Sequence, residues 1–171
     1  KELKIKKLNN LEQSEAVSEA FKCCSSTKWA ESLIKGRPFT SLQEIVQKSE
    51  DTWFKLSTED WLEAFKGHAK IGDLESLKKK YNQTKNWSHG EQKGIKETPL
   101  SVLQELKELN DDYEKKYGFI FIVFATGKSA EEMLEILKKR LHNSRSDELQ
   151  IAMKEQNKIT NLRLEKLLWE L

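Results

Sequence analysis

The sequence predicts an all-α protein in which residues 1–171 form a single compact domain of about eight helices with no significant sheet. Capping residues recur ahead of segments whose apolar side chains repeat at helical spacing. With only two prolines and seven glycines, the chain has few positions that would interrupt a helix. No internal repeat, low-complexity linker or hinge separates one part from another, and a chain of this length is usually one domain that can bury a core.

Helix signals begin near the N-terminus. Asn10 is expected to cap a helix that runs to about Phe21. The next helix is expected over roughly Thr27–Lys35, because Gly36 and the proline two residues later do not continue it. Three further helices follow, each with a polar residue at its start, and their predicted ranges are 41–53, 57–67 and 73–81.

In the second half of the chain, Thr98 followed by Pro99 is a strong helix start, because proline suits the first helical position. The helix that follows is predicted to be long and to end at Gly118. Ser129 opens another helix with a capping-box pattern. The last helix is expected to begin at Ser146 and to extend over about five turns of apolar spacing.

Residues 119–125, Phe-Ile-Phe-Ile-Val-Phe-Ala, do not fit this helical pattern. They are aromatic and β-branched, so their composition alone favours a strand. No other segment resembles a strand, however, and a lone strand has no partner with which to pair. The run is therefore predicted to be a central, buried segment that is irregular or helical.

Charged residues make up 34% of the chain, but 30 Lys and Arg against 28 Asp and Glu leave a net charge of only +2. This balance gives no electrostatic reason to expect binding to nucleic acid or to an anionic membrane. No apolar segment approaches the roughly 20 residues that span a bilayer. The polar, lysine-rich N-terminus has no apolar segment behind it, so no signal peptide is expected.

The two cysteines, Cys23 and Cys24, are adjacent, and a disulfide between neighbouring residues strains the peptide. The sequence therefore predicts no disulfide framework, which fits a reducing cytoplasm. The last three residues do not form a peroxisomal address, so a peroxisomal location would need a tail outside this sequence. No metal site is expected, since the three histidines and the cysteines never show ligand spacing.

Two polar clusters indicate an acid/base site. His68 follows a predicted helix that ends at Gly67, and its imidazole can change protonation near neutral pH. Residues 87–92, Trp-Ser-His-Gly-Glu-Gln, supply a hydroxyl, a carboxylate and a carboxamide at a predicted second helix start. The two clusters could line one small polar pocket. Taken singly, each has a plainer and more common interpretation: a histidine that pairs with a helix dipole, and a capping box.

Arg163 lies between Leu162 and Leu164 in the apolar last helix, so its stem is expected to lie against the core. Its guanidinium then needs an acidic side chain or an anionic ligand. Its own helix offers no acid three or four residues away. The alternative is an arginine whose head simply reaches water.

Short motifs follow one another along nearly the whole chain. They are Cys-Cys-Ser-Ser at 23–26, Trp-Ala at 29–30, Arg-Pro-Phe at 37–39, the segment 60–72 from Asp-Trp to His-Ala-Lys-Ile-Gly, Ser-His-Gly-Glu-Gln-Lys-Gly at 88–94, Asn-Asp-Asp-Tyr at 110–113, Tyr-Gly-Phe at 117–119, Ala-Thr-Gly-Lys-Ser at 125–129, Arg-Leu at 140–141, Glu-Leu at 148–149 and Ile-Thr-Asn-Leu-Arg-Leu at 159–164. In this order and at these intervals, the chain resembles the OHCU decarboxylase family. OHCU is 2-oxo-4-hydroxy-4-carboxy-5-ureidoimidazoline, an intermediate of urate breakdown.

The resemblance implies an all-helical, commonly dimeric enzyme that decarboxylates OHCU to (S)-allantoin without a metal or an organic cofactor. It implies catalytic roles for His68, as the acid/base imidazole, and for Glu91. The positions it implies around the substrate ring are Ala69, Ser88, His89, Gly90, Glu91 and Gln92, with Arg163 binding or polarising the substrate. Backbone N–H and C=O groups facing the ureido and ring amides would come from Phe121, Ile122, Val123, Phe124 and Ala125.

One position departs from the family pattern, because Ala69 stands where proline usually follows the histidine. Proline restricts the residue before it, so alanine is expected to loosen the turn and lower activity without removing the imidazole. Two alternatives to an active decarboxylase stay open, a catalytically idle relative and a helical interaction module. The chain is either free-standing or part of a fusion with the transthyretin-like hydrolase that precedes it in the pathway.

Overall fold

Nine helices and no strand lie within the residues that the structure describes, which confirms the predicted all-α class. The structure, a computed structural model, describes residues 2–70, 74–88 and 98–171, with only the backbone described over 82–88. The helices are α1 (Ile5–Asn10), α2 (Gln13–Cys23), α3 (Thr27–Lys35), α4 (Leu42–Trp53), α5 (Thr58–Lys66), α6 (Leu74–Ser88), α7 (Leu100–Tyr117), α8 (Ala130–Arg140) and α9 (Arg145–Glu170). In the described part of the chain, no helix combines the length and the apolar character that crossing a membrane requires.

The chain divides into two compact units. Unit 1 comprises residues 1–68 and 151–171, and unit 2 comprises residues 69–150. The second boundary falls inside α9, so the first turns of this helix belong to unit 2 and the remainder to unit 1. The single domain expected for residues 1–171 stays a prediction.

Unit 1 begins with a helix that the sequence did not indicate. Asn10, expected to cap a helix, is instead the last residue of α1. Where α1 ends, Nη1 of Arg37 donates to carbonyl oxygens that have no helical partner, among them that of Leu11 at 2.7 Å. The side chain of Asn9 exchanges two hydrogen bonds of 2.8 Å with the backbone of Phe39. These bonds join segments that are distant in sequence, so a local capping pattern does not reveal them.

Three buried tryptophans form part of the core of unit 1, and each indole N–H has an acceptor. Trp29 donates to Oγ of Ser49 at 3.0 Å. Trp53 donates to the carbonyl oxygen of Met153 at 2.8 Å. Trp61 donates to the carbonyl oxygen of Trp53 at 2.9 Å, and the two rings lie 6.3 Å apart. The last pair fixes α5 against the end of α4.

The local capping signals are confirmed at several helix starts. Ser57 and Asp60 make both bonds of a capping box at the start of α5. Ser129 and Glu132 make the same pair of bonds at the start of α8. The helix expected over Thr27–Lys35 is present with those bounds. In each case the capping partners lie three residues apart, so the sequence alone contains the information.

In unit 2, α7 packs against both α6 and α8. It begins at Leu100, one residue later than predicted, because Pro99 has an extended ψ of 139° and occupies the N-cap position. It ends at Gly118 as predicted. The φ of Gly118 is +82°, a left-handed conformation that favours glycine, and its N–H donates to the carbonyl oxygen of Glu114 at 2.8 Å.

Helix α6 is longer than predicted. It extends to Ser88 instead of ending at Tyr81. No glycine or proline occurs between residues 73 and 89, so the chain contains no strong helix breaker over this span. Ser88 is therefore helical within α6 and does not cap the start of another helix as predicted, whereas residues 89–92 lie outside the described residues.

Candidate functional site

His68 lies directly after the last turn of α5. This helix begins with the capping box at Ser57 and ends at Gly67. The N–H of His68 donates to the carbonyl oxygen of Phe65 at 3.2 Å, which extends the helical turn and fixes the backbone that carries the imidazole. The side chain is half-buried. Its ring therefore lies in a medium less polar than water.

The imidazole is held by a glutamine that the sequence did not indicate as a site residue. Nε2 of His68 lies 2.5 Å from Oε1 of Gln156, and Gln156 on α9 is 0% exposed. The side-chain nitrogen of Gln156 donates in turn to Oγ1 of Thr160 at 3.0 Å. A signal for this pair exists in the sequence, because two polar residues stand four apart on a face that also carries the apolar Met153 and Leu164.

Burial lowers the pKa of His68 below its usual 6.5, the hydrogen bond with Gln156 acts in the opposite direction, and the positive charge of Arg163 lowers this pKa further. The imidazole is therefore neutral at neutral pH. A neutral imidazole has one N–H donor and one lone pair, so it can accept a proton and return it. This is the chemistry that a general acid/base needs.

We expect the stability of the fold to decrease below about pH 6.5 because of His68. The unfolded chain takes up a proton on this ring near pH 6.5, whereas burial lowers the pKa of the folded form. As the pH falls through the window between the two values, protonation favours the unfolded chain, and above the window it has no such effect. Urea denaturation on both sides of pH 6.5 measures the loss.

His68→Asn should remove this component of the pH dependence. The matched control is His142→Asn, because His142 is exposed and should leave the component in place. The same pH dependence in the native protein and in both variants would contradict the assignment to His68.

Gly67 is required for the close approach of two segments in unit 1. A Cβ added at Gly67 would lie 2.4 Å from both Cβ and Oγ of Ser25, which is closer than atoms can pack. Gly67→Ala is therefore expected to lower the free energy of unfolding by about 1–3 kcal/mol, as overpacking typically does. It should also lower activity, because the displaced backbone carries His68.

The control is Gly36→Ala. Gly36 ends α3 with φ and ψ of −79° and −2°, close to the −73° and −10° of Gly67 at the end of α5. Its added Cβ would come closest to Cδ of Lys48, at 3.1 Å, and this flexible side chain can move. Urea denaturation should therefore show a smaller loss for Gly36→Ala. Equal losses would mean that the contact with Ser25 is not the cause.

Arg163 is exposed on α9, which agrees with the alternative that its head reaches water. It lines an open groove of about 920 Å³ formed by residues of α1, α2 and α9. Among the described residues, none accepts a hydrogen bond from its guanidinium. The structure places it within electrostatic range of His68, since its charge contributes to the lowered pKa of that ring. Its predicted role at the substrate stays a prediction.

The second polar cluster lies largely outside the described residues. Those outside are His89, Gly90, Glu91 and Gln92. For Ser88 the backbone alone is described, at the end of α6. Ala69 is exposed and belongs to unit 2, where the next residue, Lys70, forms ion pairs with Asp111 at 2.9 Å and Glu114 at 2.7 Å. The predicted site roles of residues 69 and 88–92 stay predictions.

The apolar run at 119–125 is irregular, one of the two conformations predicted for it. Phe121 and Ile122 are buried, whereas residues 123–125 are partly exposed. Nη1 of Arg140 donates to the carbonyl oxygen of Ile122 at 2.5 Å, and its guanidinium lies over the ring of Phe121 at 4.7 Å. The burial therefore follows the prediction for the centre of the run and not for its end.

Further carbonyl oxygens of the same run accept hydrogen bonds from Lys128. Its Nζ donates to the carbonyl of Phe124 at 2.7 Å and its N–H to that of Ala125 at 3.0 Å. Each carbonyl oxygen has two lone pairs, so these bonds leave capacity for a ligand. They also fix the path of the backbone that the resemblance assigns to the substrate. Contact of Phe121, Ile122, Val123, Phe124 and Ala125 with substrate stays a prediction.

A buried ion pair lies next to residues 119–125, because one of its members, Arg140, also donates to the carbonyl oxygen of Ile122. Nε of Arg140 donates to Oε1 of Glu148 at 2.7 Å, with the two side chains 7% and 0% exposed. Glu148 also accepts from Tyr113 at 2.5 Å and from Asn143 at 2.8 Å. Burial raises the pKa of Tyr113, so its hydroxyl stays protonated and able to donate. The ion pair was not among the predicted site residues.

The two cysteines are buried free thiols. Burial raises the pKa of Cys24 to about 12, and the hydrogen bond with Thr160 only partly opposes this effect. Both thiols are therefore protonated at neutral pH and are poor nucleophiles. In the ranges that the structure describes, no three His, Cys, Asp or Glu side chains are grouped so as to hold a metal ion.

Comparison with known proteins places the chain in a family. A family model described as OHCU decarboxylase matches residues 9–165. The chain is 41% identical over 146 residues to the uric acid degradation bifunctional protein TTL of Arabidopsis thaliana, which covers 85% of this chain and 45% of that protein. It is 26% identical over 166 residues to a 2-oxo-4-hydroxy-4-carboxy-5-ureidoimidazoline decarboxylase of Halalkalicoccus jeotgali, covering 96% of this chain and 92% of that protein.

A crystal structure of OHCU decarboxylase in the presence of (S)-allantoin superposes on the chain with a TM-score of 0.71 and 38% identity, covering 89% of this chain and 99% of the other. The chain thus spans nearly all of this crystallised protein and less than half of the Arabidopsis protein. Because the family model covers residues 9–165, the chain belongs to the OHCU decarboxylase family.

Proposed function

We propose that this chain catalyses the decarboxylation of OHCU to (S)-allantoin and needs neither a metal nor an organic cofactor. Membership of the OHCU decarboxylase family supports the reaction. The single structural observation that carries the chemistry is His68, whose half-buried imidazole is neutral at neutral pH and is held at the end of α5. A group in this state can take part in proton transfer without a prior change of charge.

The substrate contains its own electron sink. OHCU carries a carboxylate and a hydroxyl on one ring carbon, next to an imine-like carbon that can accept electrons. When the bond to the carboxylate breaks, carbon dioxide leaves and the electron pair enters the conjugated system. The ring nitrogen then takes up a proton, and the hydroxyl proton is replaced by one on the neighbouring ring carbon, which converts the enol into the carbonyl of allantoin. The protein has to hold the carboxylate perpendicular to the conjugated system and deliver the proton to one face.

In this mechanism His68 exchanges a proton with the hydroxyl or the ring as the bond breaks. Glu91 orients the imidazole or binds the ring N–H groups, and Gln92 and Arg163 hold the remainder of the substrate. General acid/base catalysis typically contributes about 10²–10⁴-fold, and orientation of the substrate adds to it. Protonation from one face gives the (S) enantiomer, whereas the spontaneous reaction gives the racemate.

The decisive experiment is an assay with OHCU generated in place by urate oxidation and hydrolysis, because the substrate decays on its own. Circular dichroism follows the appearance of (S)-allantoin. Faster formation of an optically active product than in the reaction without the protein is the expected result. Racemic product at the spontaneous rate would point instead to a catalytically idle relative, with Ala69 as the natural residue to examine.

A helical interaction module is the other class to exclude. Such a protein has no reason to bind (S)-allantoin, whereas both an active decarboxylase and an idle relative retain the pocket. A ligand that binds only the folded state raises the melting temperature. We therefore expect stabilisation by (S)-allantoin, and no shift at saturating concentrations would favour the interaction module.

The family resemblance also supports a homodimer and a cytoplasmic location as parts of the proposal. Light scattering coupled to size-exclusion chromatography measures the first directly. A mass of twice 20.0 kDa is expected for this chain. A mass of 20.0 kDa at micromolar protein concentration would contradict the dimer without affecting the proposed reaction.

A further inference from the structure

One ring nitrogen of His68 is bound by a side chain outside the set that the family resemblance implies. We propose that Gln156 is a positioning residue that holds neutral His68 with its proton on Nε2, so that Nδ1 carries the lone pair that exchanges a proton with substrate. Only the exchange of a proton between Nδ1 and substrate rests on the proposed function. The tautomer itself is a property of the folded chain and can be measured without activity.

The contact between His68 and Gln156 assigns one donor and one acceptor. A neutral imidazole has one nitrogen that donates and one that accepts. The atom 2.5 Å from Nε2 of His68 is Oε1 of Gln156, an amide oxygen that can only accept. With the amide oxygen in this position, Nε2 carries the proton and, in the neutral ring, Nδ1 is left with the lone pair.

The carboxamide of Gln156 is itself held by a buried partner. Gln156 is 0% exposed and Thr160 is 2% exposed, so water does not readily replace either partner. The side-chain nitrogen of Gln156 donates to Oγ1 of Thr160 at 3.0 Å. Thr160 also lies near the buried thiol of Cys24, whose pKa it lowers. A half-turn of the amide would place its nitrogen against Nε2 of His68 and its oxygen against Oγ1 of Thr160, so both buried hydrogen bonds would have to be remade with donor and acceptor exchanged.

Nitrogen-15 NMR of the imidazole rings tests the tautomer directly. The chain has three histidines, so the His68 signals are those lost in His68→Asn. We expect a single neutral tautomer with the proton on Nε2 in the native protein, and a second tautomer to become populated in Gln156→Leu. The Nδ1–H tautomer in the native protein, or an unchanged single tautomer in Gln156→Leu, would overturn the proposal.

A pH titration of the same signals adds a second test, because two replacements of Gln156 should shift the pKa of His68 in opposite directions. Gln156→Glu places an acidic acceptor at Nε2 and is expected to raise the pKa of His68 by about 1–3 units. Gln156→Leu removes the acceptor and is expected to lower the pKa. Arg163 lies on α9, as Gln156 does, and among the described residues it is the charged group that acts on the ring. It is unchanged in both variants. The same pKa of His68 in the native protein, in Gln156→Glu and in Gln156→Leu would overturn the proposal.

Two further variants make the result specific. Thr160→Val removes the partner that orients the amide with little change in shape, so the second tautomer should appear there even if Gln156→Leu does not fold. Gln150→Leu makes the same replacement at an exposed position of α9 and should behave as native. If these NMR results hold while the decarboxylase assay fails, the positioning role stands and the proposed function falls. If the assay succeeds but both tautomers of His68 are populated in the native protein, the proposed function stands and the positioning role of Gln156 falls.

Discussion

Replacing His68 by asparagine is expected to lower the rate of (S)-allantoin formation by about 10²–10⁴-fold, the contribution typical of a general acid/base. Asparagine has no group that titrates near neutral pH, so it cannot exchange the proton. Its shorter side chain also cannot bond Gln156 in the same way, and the loss of that partner should cost about 1–3 kcal/mol of stability. The rate is measured by circular dichroism with freshly generated OHCU.

Two controls separate chemistry from folding. Far-ultraviolet circular dichroism should show the helical content unchanged in His68→Asn, and the assay is run well below its unfolding temperature. His142→Asn alters an exposed histidine beyond the end of α8 and should keep the native rate. Stereospecific allantoin formation at the native rate in His68→Asn would exclude the imidazole as the catalytic group.

Replacing Arg140 by methionine is expected to cost about 3–5 kcal/mol of folding free energy, the range typical of breaking a buried ion pair. The reason is that Glu148, at 0% exposure, would keep a buried carboxylate without its counter-ion. The same change removes the donor to the carbonyl oxygen of Ile122. Urea denaturation measures the loss as a lower midpoint with an unchanged slope.

The neighbouring Lys139 is the matched control, because it is exposed and Lys139→Met should change stability by no more than about 0.5 kcal/mol. A second test combines Arg140→Met with Glu148→Leu. Removing both charges should cost less than the sum of the two single changes, since neither charge is left unpaired. Strictly additive costs would mean that the contact between Arg140 and Glu148 contributes little.

Helices whose signals are local were predictable. The capping boxes at Ser57 and Ser129 involve partners three residues away, so their bonds can be inferred from the sequence. The first helix was missed because its end depends on Arg37 and Phe39, which lie 26 to 30 residues from the groups they bond. The early end predicted for α6 has another cause. Its apolar spacing becomes weak after Tyr81, but helix formation does not need an apolar face at every turn.

The candidate site was predictable in part for the same reason. His68 could be selected because its titratable ring follows a visible helix end. Gln156 could not be assigned to it, because 88 residues separate the two and neither position indicates the other. The Arg140–Glu148 pair illustrates a further limit. Two charged residues eight apart resemble an ordinary solvated pair until the fold shows that both are buried.

The helical class and most helix ends could be inferred from the residue order alone, because capping, proline and glycine effects operate over three or four residues, and the same local signals made His68 a candidate. The motifs of the sequence also determined the family. The groups around His68 and the burial of the Arg140–Glu148 pair became visible only in the folded chain. Burial and long-range hydrogen bonds set the protonation of His68, and these depend on packing between segments that the order of residues does not reveal.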